Sequence, residues 1–222
     1  MSLHFKLEPT LLIILVLLCS IEISFVRSID GNIFLILVGL CYLFLNRVHL
    51  RKIIWLLIIS TPLAFGTWSS FWLFGTGNHF MNASIYTTRL YAYLILGAVI
   101  TLTESPRALL MNLHVRFNLS NTFVYGILAA LNLLEQVKHQ IKIIQYAAQL
   151  RGIKYHLWSP QLYLKTILSA NYWANDLTNA MHSHGFSEGY PRTEVEKQSW
   201  PLLQIGLLII IFLLFNSVLF LS

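Results

Sequence analysis

The chain has 222 residues, of which 56% are hydrophobic and only 11% charged. A soluble domain typically carries about 25% charged residues, so the composition excludes a water-soluble module and points to a multispanning membrane protein. Lys and Arg outnumber Asp and Glu by 15 to 9, a net charge of +6, and the placement of that charge says more than its sum.

Lys6 precedes the apolar run Leu11 to Leu18, which has the look of a signal peptide. No small-x-small cleavage pattern follows, and Leu18 before Cys19 does not suit a lipoprotein site. Thr10–Val26 therefore reads as an uncleaved first span, short but adequate. Glu22, near its far end, is expected to be an interfacial carboxylate close to Arg27. A loop with Arg27, Asp30 and Gly31 leads to a second span at Ile33–Leu45. The loop from Asn46 to Lys52 then holds Arg47, His49, Arg51 and Lys52. Ile53–Phe74 is the third span, with Pro62 and Gly66 inside it as tolerated kink positions. Gly75-Thr76-Gly77-Asn78 is an uncharged turn, and Ile85–Leu102 is the fourth span, with Arg89 near its start. No further span of sufficient length occurs between Thr103 and Gln198; Trp200–Leu221 is the fifth. Cys19 and Cys41 both fall in apolar runs and read as packing residues.

The expected architecture is thus an all-α membrane protein of about five transmembrane helices. A membrane domain covers residues 1–105, a segment of coupling helices 106–198, and a C-terminal span 199–222. Five spans put the termini on opposite sides. Lys6, the Arg47–Lys52 cluster and the 103–198 segment then share one side, which holds nearly all the basic residues. By the positive-inside rule that side is cytoplasmic.

The long segment carries helical punctuation. Ser105-Pro106 offers an N-cap followed by proline at the first helical position, Ser159-Pro160 repeats it, and Ser120 or Asn121 can cap a helix between them. The pattern predicts a short helix at Pro106–Arg116 and two long ones at Asn121–Leu150 and Pro160–His184, with Gly126, Gly152, Gly185, Gly189 and Pro191 as breaks. Asn132, Glu135, His139 and Lys142 form a polar face on the first long helix, and Glu135 stands at favourable spacing from Lys138 and His139. On the second the polar positions include Lys165, Asn175, Asp176 and Asn179. Helices too apolar for water and too polar to span are expected to lie along the cytoplasmic membrane face.

The two long helices end alike. Ala147-Ala148-Gln149-Leu150-Arg151-Gly152 is echoed by Ala180-Met181-His182-Ser183-His184-Gly185, each with a basic residue directly before a glycine and the two 33 residues apart. Apolar rows lead into both in the same register: Leu134, Val137, Ile141, Ile144 and Ala148 into Arg151, and Ile167, Ala170, Ala174, Leu177 and Met181 into His184.

Catalytic patterns are lacking. His182 and His184 are two apart, which on a helix points them away from each other, and no His-Glu-x-x-His, ligand-spaced Cys pair, glycine-rich phosphate loop, Ser-x-x-Lys or Gly-x-Ser-x-Gly occurs. A cation at a helix C-terminus is favoured by the helix dipole wherever it occurs. Arg also presents a planar fork of donors suited to a partner's carboxylate. The duplication favours a two-pronged docking surface.

Several short motifs, in order, carry a family resemblance. They are Thr101-Leu102-Thr103-Glu104-Ser105-Pro106, Leu133-Leu134-Glu135, Ala147-x-x-x-Arg151-Gly152, and Ala180-Met181-His182-Ser183-His184-Gly185-Phe186 followed by Arg192-Thr193. On this hydropathy the set resembles the transmembrane T component of energy-coupling factor (ECF) transporters, the family that includes the CbiQ-type cobalt proteins. The resemblance implies a non-catalytic scaffold in a bacterial or archaeal plasma membrane, joining two ABC-type ATPases to a small membrane S component that captures a vitamin or metal ion. It implies no cofactor in this chain, with ATP and magnesium held by the ATPases, no metal site and no nucleic-acid partner. Carried over by position, Ala147, Arg151 and Gly152 form the first ATPase-coupling site, and Ala180, Met181, His184 and Gly185 the second. Two positions depart from the family pattern. Leu150 stands where Ala is usual, and His184 stands where Arg is usual, replacing a permanent cation by a titratable ring that cannot make the bidentate fork.

Two other classes stay open on the sequence. An unaided permease would need facing polar groups at mid-span, for which Glu22 and Arg89 are the candidates. A membrane enzyme would rest on the histidines of the 103–198 segment.

Overall fold

The computed structural model describes residues 7–75, 77–156, 158–187 and 201–221. Lys6, Thr76, Gly189, Pro191, Arg192, Thr193, Gln198 and Trp200, which the sequence reading used, lie outside them. Among the described residues the chain forms eight α-helices and no strand: α1 (Pro9–Phe25), α2 (Ile29–Leu45), α3 (Leu50–Phe74), α4 (His79–Thr103), α5 (Pro106–Phe117), α6 (Asn121–Leu150), α7 (Pro160–Ser183) and α8 (Leu202–Leu221). Three are long and apolar enough to cross a membrane: α3, α4 and α8. The apolar helices α1 and α2 have 17 residues each, about 26 Å at 1.5 Å per residue. The chain divides into two units, Met1–Asn112 with Gln198–Ser222, and Leu113–Lys197.

In the first unit α4 is central. It packs on α3, α2 and α1, while α8 packs on α1 and α2. Between helices in lipid there is little hydrophobic drive, so close approach and hydrogen bonds hold the bundle. Gly39 supplies the approach: a Cβ there would come within 2.5 Å of Ile95 Cγ2 on α4. Buried Asn32 supplies the bonds, its Nδ2 donating to the Ile85 carbonyl at 3.0 Å and to Thr88 Oγ1 at 2.8 Å. Ser60 and Ala64 on α3 are likewise buried small residues, and Phe215 of α8 is fully enclosed.

Three helix starts differ from the sequence reading. α2 begins at Ile29, four residues before the expected Ile33, because the Ser28 hydroxyl accepts from the Gly31 amide at 3.1 Å and Asp30 falls in the first turn. The Asp-Gly pair that read as a turn is thus a helix start, favoured by the dipole. α3 begins at Leu50 and takes in Arg51 and Lys52. α4 begins at His79 rather than Ile85, so Arg89 stands within the helix, not near its start. Its guanidinium donates to the carbonyls of Ser24 and Val26 and lies 5.2 Å from the Tyr86 ring centre. It thereby closes the open C-terminal end of α1 with a cation. Glu22 also has a different partner from the expected Arg27: the Asn216 amide of α8 donates to its Oε2 at 3.3 Å.

At the α4–α5 corner, Glu104 is the buried C-cap of α4, and the Ser105 hydroxyl accepts from the Ala108 amide at 3.2 Å, as the Ser-Pro pattern predicts. The repeat of that device is different. Ser159 occupies the N-cap position of α7, but its hydroxyl accepts from the His156 amide at 3.0 Å instead of capping the helix. Ser120 makes no side-chain cap on α6.

The second unit is built on α6 and α7, which run antiparallel. Gln140 donates to Ser169 at 3.4 Å near the middle, and Tyr125, one turn into α6, meets Phe186 just past α7. The packed row on α6 keeps the predicted register from Val137 through Ile141 and Ile144 to buried Ala148, although Leu134 is 52% exposed. On α7 the predicted row is corrected. Ile167, Ala174 and Leu177 are exposed, and the packed stripe is Leu162, Thr166, Ser169, Ala170, Trp173 and Met181. Two hydroxyls sit on the packed side because both are satisfied there: Thr166 donates to the Leu162 carbonyl at 2.7 Å, and Ser169 accepts from Gln140. Asn132, Glu135, His139 and Lys142 are exposed, as the polar-face pattern predicts.

Candidate functional site

The ends of α6 and α7 share one backbone geometry. At the first, Arg151 is the C-cap with φ −94° and ψ 10°, and Gly152 follows with φ +75°. The Ile153 amide donates to the Ala148 carbonyl at 2.9 Å and the Gly152 amide to the Gln149 carbonyl at 3.0 Å. At the second, His184 is the C-cap with φ −85° and ψ 11°, and Gly185 has φ +77°. The Phe186 amide donates to the Met181 carbonyl and the Gly185 amide to the His182 carbonyl, both at 2.9 Å. Each is a complete Schellman stop: a left-handed glycine whose neighbours satisfy the last open carbonyls of the helix. The two basic-Gly pairs are therefore equivalent positions, with the basic residue at the C-cap in both.

Space does not dictate either glycine, since a Cβ at 152 or 185 would meet nothing within 4 Å. The positive φ does. Gly152→Ala is expected to lower stability by about 1 kcal/mol, the cost of a left-handed L residue. Gly126→Ala, in the interior of α6 with the same open surroundings, is expected to raise it by about 0.5–1 kcal/mol through helix propensity. Thermal unfolding of the two variants in one detergent checks the opposite signs.

Ala147, Arg151, Gly152, Ala180, His184 and Gly185 are all exposed, while Met181 is half-buried against α6. Neither the Arg151 guanidinium nor the His184 ring has a hydrogen-bond or ion-pair partner among the described residues. Because α6 and α7 run in opposite directions, the stops lie at opposite ends of the pair. That places them on the order of 35 Å apart, the length of the 24-residue α7.

Beyond each stop the chain is pinned by aromatic contacts. After Arg151, the Tyr155 hydroxyl accepts from Lys165 Nζ at 2.9 Å, and the same ammonium lies 4.9 Å from its ring centre. After His184, the Phe186 ring meets Tyr125 edge-on at 6.4 Å, and Tyr125 meets His114 at 6.4 Å. Buried His114 lies with Nδ1 2.7 Å from the Leu119 carbonyl, so that nitrogen carries the proton. Sequence reasoning gave His114 no role; its spacing carries no signal, because its partner is a backbone carbonyl.

The surroundings of the two cations differ. Leu150 is 91% exposed and Trp158 90%, with Tyr146 and Ile153 also open. At the second stop the positions equivalent to Tyr146 and Leu150 are Asn179 and Ser183. The first end thus carries exposed apolar and aromatic residues in the chain segments on either side of its arginine, and the second has polar residues at the two matching helix positions. Trp158 and Tyr146 were missed in the sequence because a lone aromatic at a helix end or in a loop reads as packing.

Among the described residues no group of three His, Cys, Asp or Glu side chains could hold a metal ion. Between the N-terminal half of α6 and the C-terminal half of α7 lies an open cavity of about 440 Å³, lined mainly by Gly126, Ala129, Ala130, Leu133, Leu177 and Met181. No protein-family model matches this chain, and no curated protein matches it.

Proposed function

We propose that the chain is the transmembrane coupling subunit, or T component, of an ECF-type importer, docking two ABC-type ATPases through Arg151-Gly152 and His184-Gly185. The observation that carries this reading is the pair of superimposable Schellman stops, each presenting an exposed basic C-cap, at opposite ends of one antiparallel helix pair. Two equivalent stops suit two copies of one kind of partner. Arg151 supplies a fork for a carboxylate, while the exposed Leu150 next to it in the chain supplies apolar surface of the kind interface cores favour.

The bundle accommodates five spans if α1 and α2 cross as well, since 17 residues is the lower end of the spanning range. The N-terminus and the 103–198 segment then face the cytoplasm, where the ATPases, with their ATP and magnesium, are accessible. A membrane S component would bind the cargo, a vitamin or a transition-metal ion such as cobalt or nickel.

Purification in mild detergent from cells expressing the chain with the genes beside its own tests the reading. Two ATPase copies per chain are expected. A chain that purifies without ATPase, or that turns over a substrate by itself in a metal-dependent way, would overturn it in favour of a permease or a membrane enzyme.

A further inference from the structure

A crevice of about 330 Å³ runs between α1, α2 and α8 in the first unit, with Leu96 and Val99 of α4 at its back, and its α1 and α2 walls include Leu12, Val16, Cys19, Leu35, Cys41 and Leu45. Water in a cavity needs two to four polar partners, and these walls offer almost none. The slot is also elongated. Its α2 wall extends from Leu35 to Leu45, about 15 Å along the helix axis. An unhydrated slot parallel to helices that pack in lipid fits a hydrocarbon chain.

Directly beyond Leu45 stands an unusual arginine. α2 ends in the same stop as α6 and α7: the Arg47 amide donates to the Phe44 carbonyl at 3.0 Å and the Val48 amide to the Leu43 carbonyl at 3.1 Å. Here the left-handed position is Arg47, with φ 52°, where the other two stops have glycine. L side chains avoid this conformation, so glycine would suit the backbone better. The exposed Arg47 guanidinium has no hydrogen-bond or ion-pair partner among the described residues. His49, Arg51 and Lys52 follow it.

We propose that this end of the bundle binds an anionic phospholipid, with one acyl chain in the α1–α2–α8 crevice and the headgroup phosphate on Arg47. An apolar slot whose α2 wall ends at Leu45, two residues before an exposed arginine, offers the two halves such a lipid requires, and basic pockets between membrane helices hold anionic headgroups in this way. Arg grips phosphate through two parallel donors. The site does not depend on the importer reading, because it needs only a bilayer.

Native mass spectrometry of the full chain in detergent tests it, titrating phosphatidylglycerol and phosphatidylcholine with identical acyl chains, and glycerol 1-phosphate as a chainless competitor. Phosphatidylglycerol is expected to bind about fivefold tighter than phosphatidylcholine, the contribution of one basic residue near the headgroup. Arg47→Gly is expected to abolish that preference while leaving the unfolding temperature unchanged or higher. Cys41→Trp, which fills the slot from its open side, is expected to weaken both lipids. Equal binding of the two lipids, a preference that survives in Arg47→Gly, full binding in Cys41→Trp, or displacement by glycerol 1-phosphate would each overturn the proposal.

Discussion

Replacing Arg151 by Ala is expected to cost the assembly most of its ATPase, with a loss of affinity of thirtyfold or more. That follows from the 2–5 kcal/mol typical of truncating one partner of a desolvated charge pair. The fold should not change, because the side chain is exposed and has no partner among the described residues. An unfolding temperature equal to that of the parent would confirm that the loss is in docking. His184→Ala should cost about tenfold or less, since its ring stands among polar neighbours where exposed charges contribute little. Quantitative pull-down of the ATPases and substrate uptake in membrane vesicles measure both. If Arg151→Ala retained ATPase and uptake while His184→Ala abolished them, the ranking of the two ends would be wrong.

The second large effect is a gain. His184→Arg places a permanent cation on a C-cap whose dihedrals match those of Arg151 within about ten degrees. The new fork should therefore project from the same backbone frame. Unchanged or up to about tenfold tighter ATPase binding is expected, the range of one added charge-assisted contact. Ser183 stands where the first end has Leu150, so the gain should stay below the full strength of the Arg151 end. Loss of uptake in His184→Arg would show that the two stops are not interchangeable and would count against paired docking on like partners.

Much of this was legible because it depends on local chemistry. Asn121–Leu150 stops where its glycine places it, and the basic-Gly pair predicts the Schellman geometry, because only glycine takes that φ without strain. The register on α7 was not legible. Thr166 and Ser169 carry no apolar signal, and their place on the packed side depends on bonds to the Leu162 carbonyl and to Gln140 of α6. The start of α2 was hidden by competition between two meanings of Asp-Gly: turn signal and first helical turn. Arg89 was misplaced for a related reason, since the mixed run His79–Ser84, with Phe80, Met81 and Ala83 set among polar residues, carries no net hydropathy signal yet continues the helix. At the site itself, the two cations could be found from their neighbours in sequence. The aromatic setting of the first could not, because it depends on how far Leu150 and Trp158 stand clear of the chain.

The antiparallel arrangement of α6 and α7 has a mechanical consequence. A helix hardly stretches, so anything that holds both stops and changes their separation cannot be accommodated along either axis. It must act as a torque, tilting one rod against the other. The hinge for such a tilt is unevenly supplied. Near Arg151 the two helices bury Ala148 and Leu162, whereas towards His184 a cavity lined by Gly126, Ala129, Ala130, Leu133, Leu177 and Met181 opens between them. A tilt at this end has space to close but must shear the Tyr125–Phe186 ring contact.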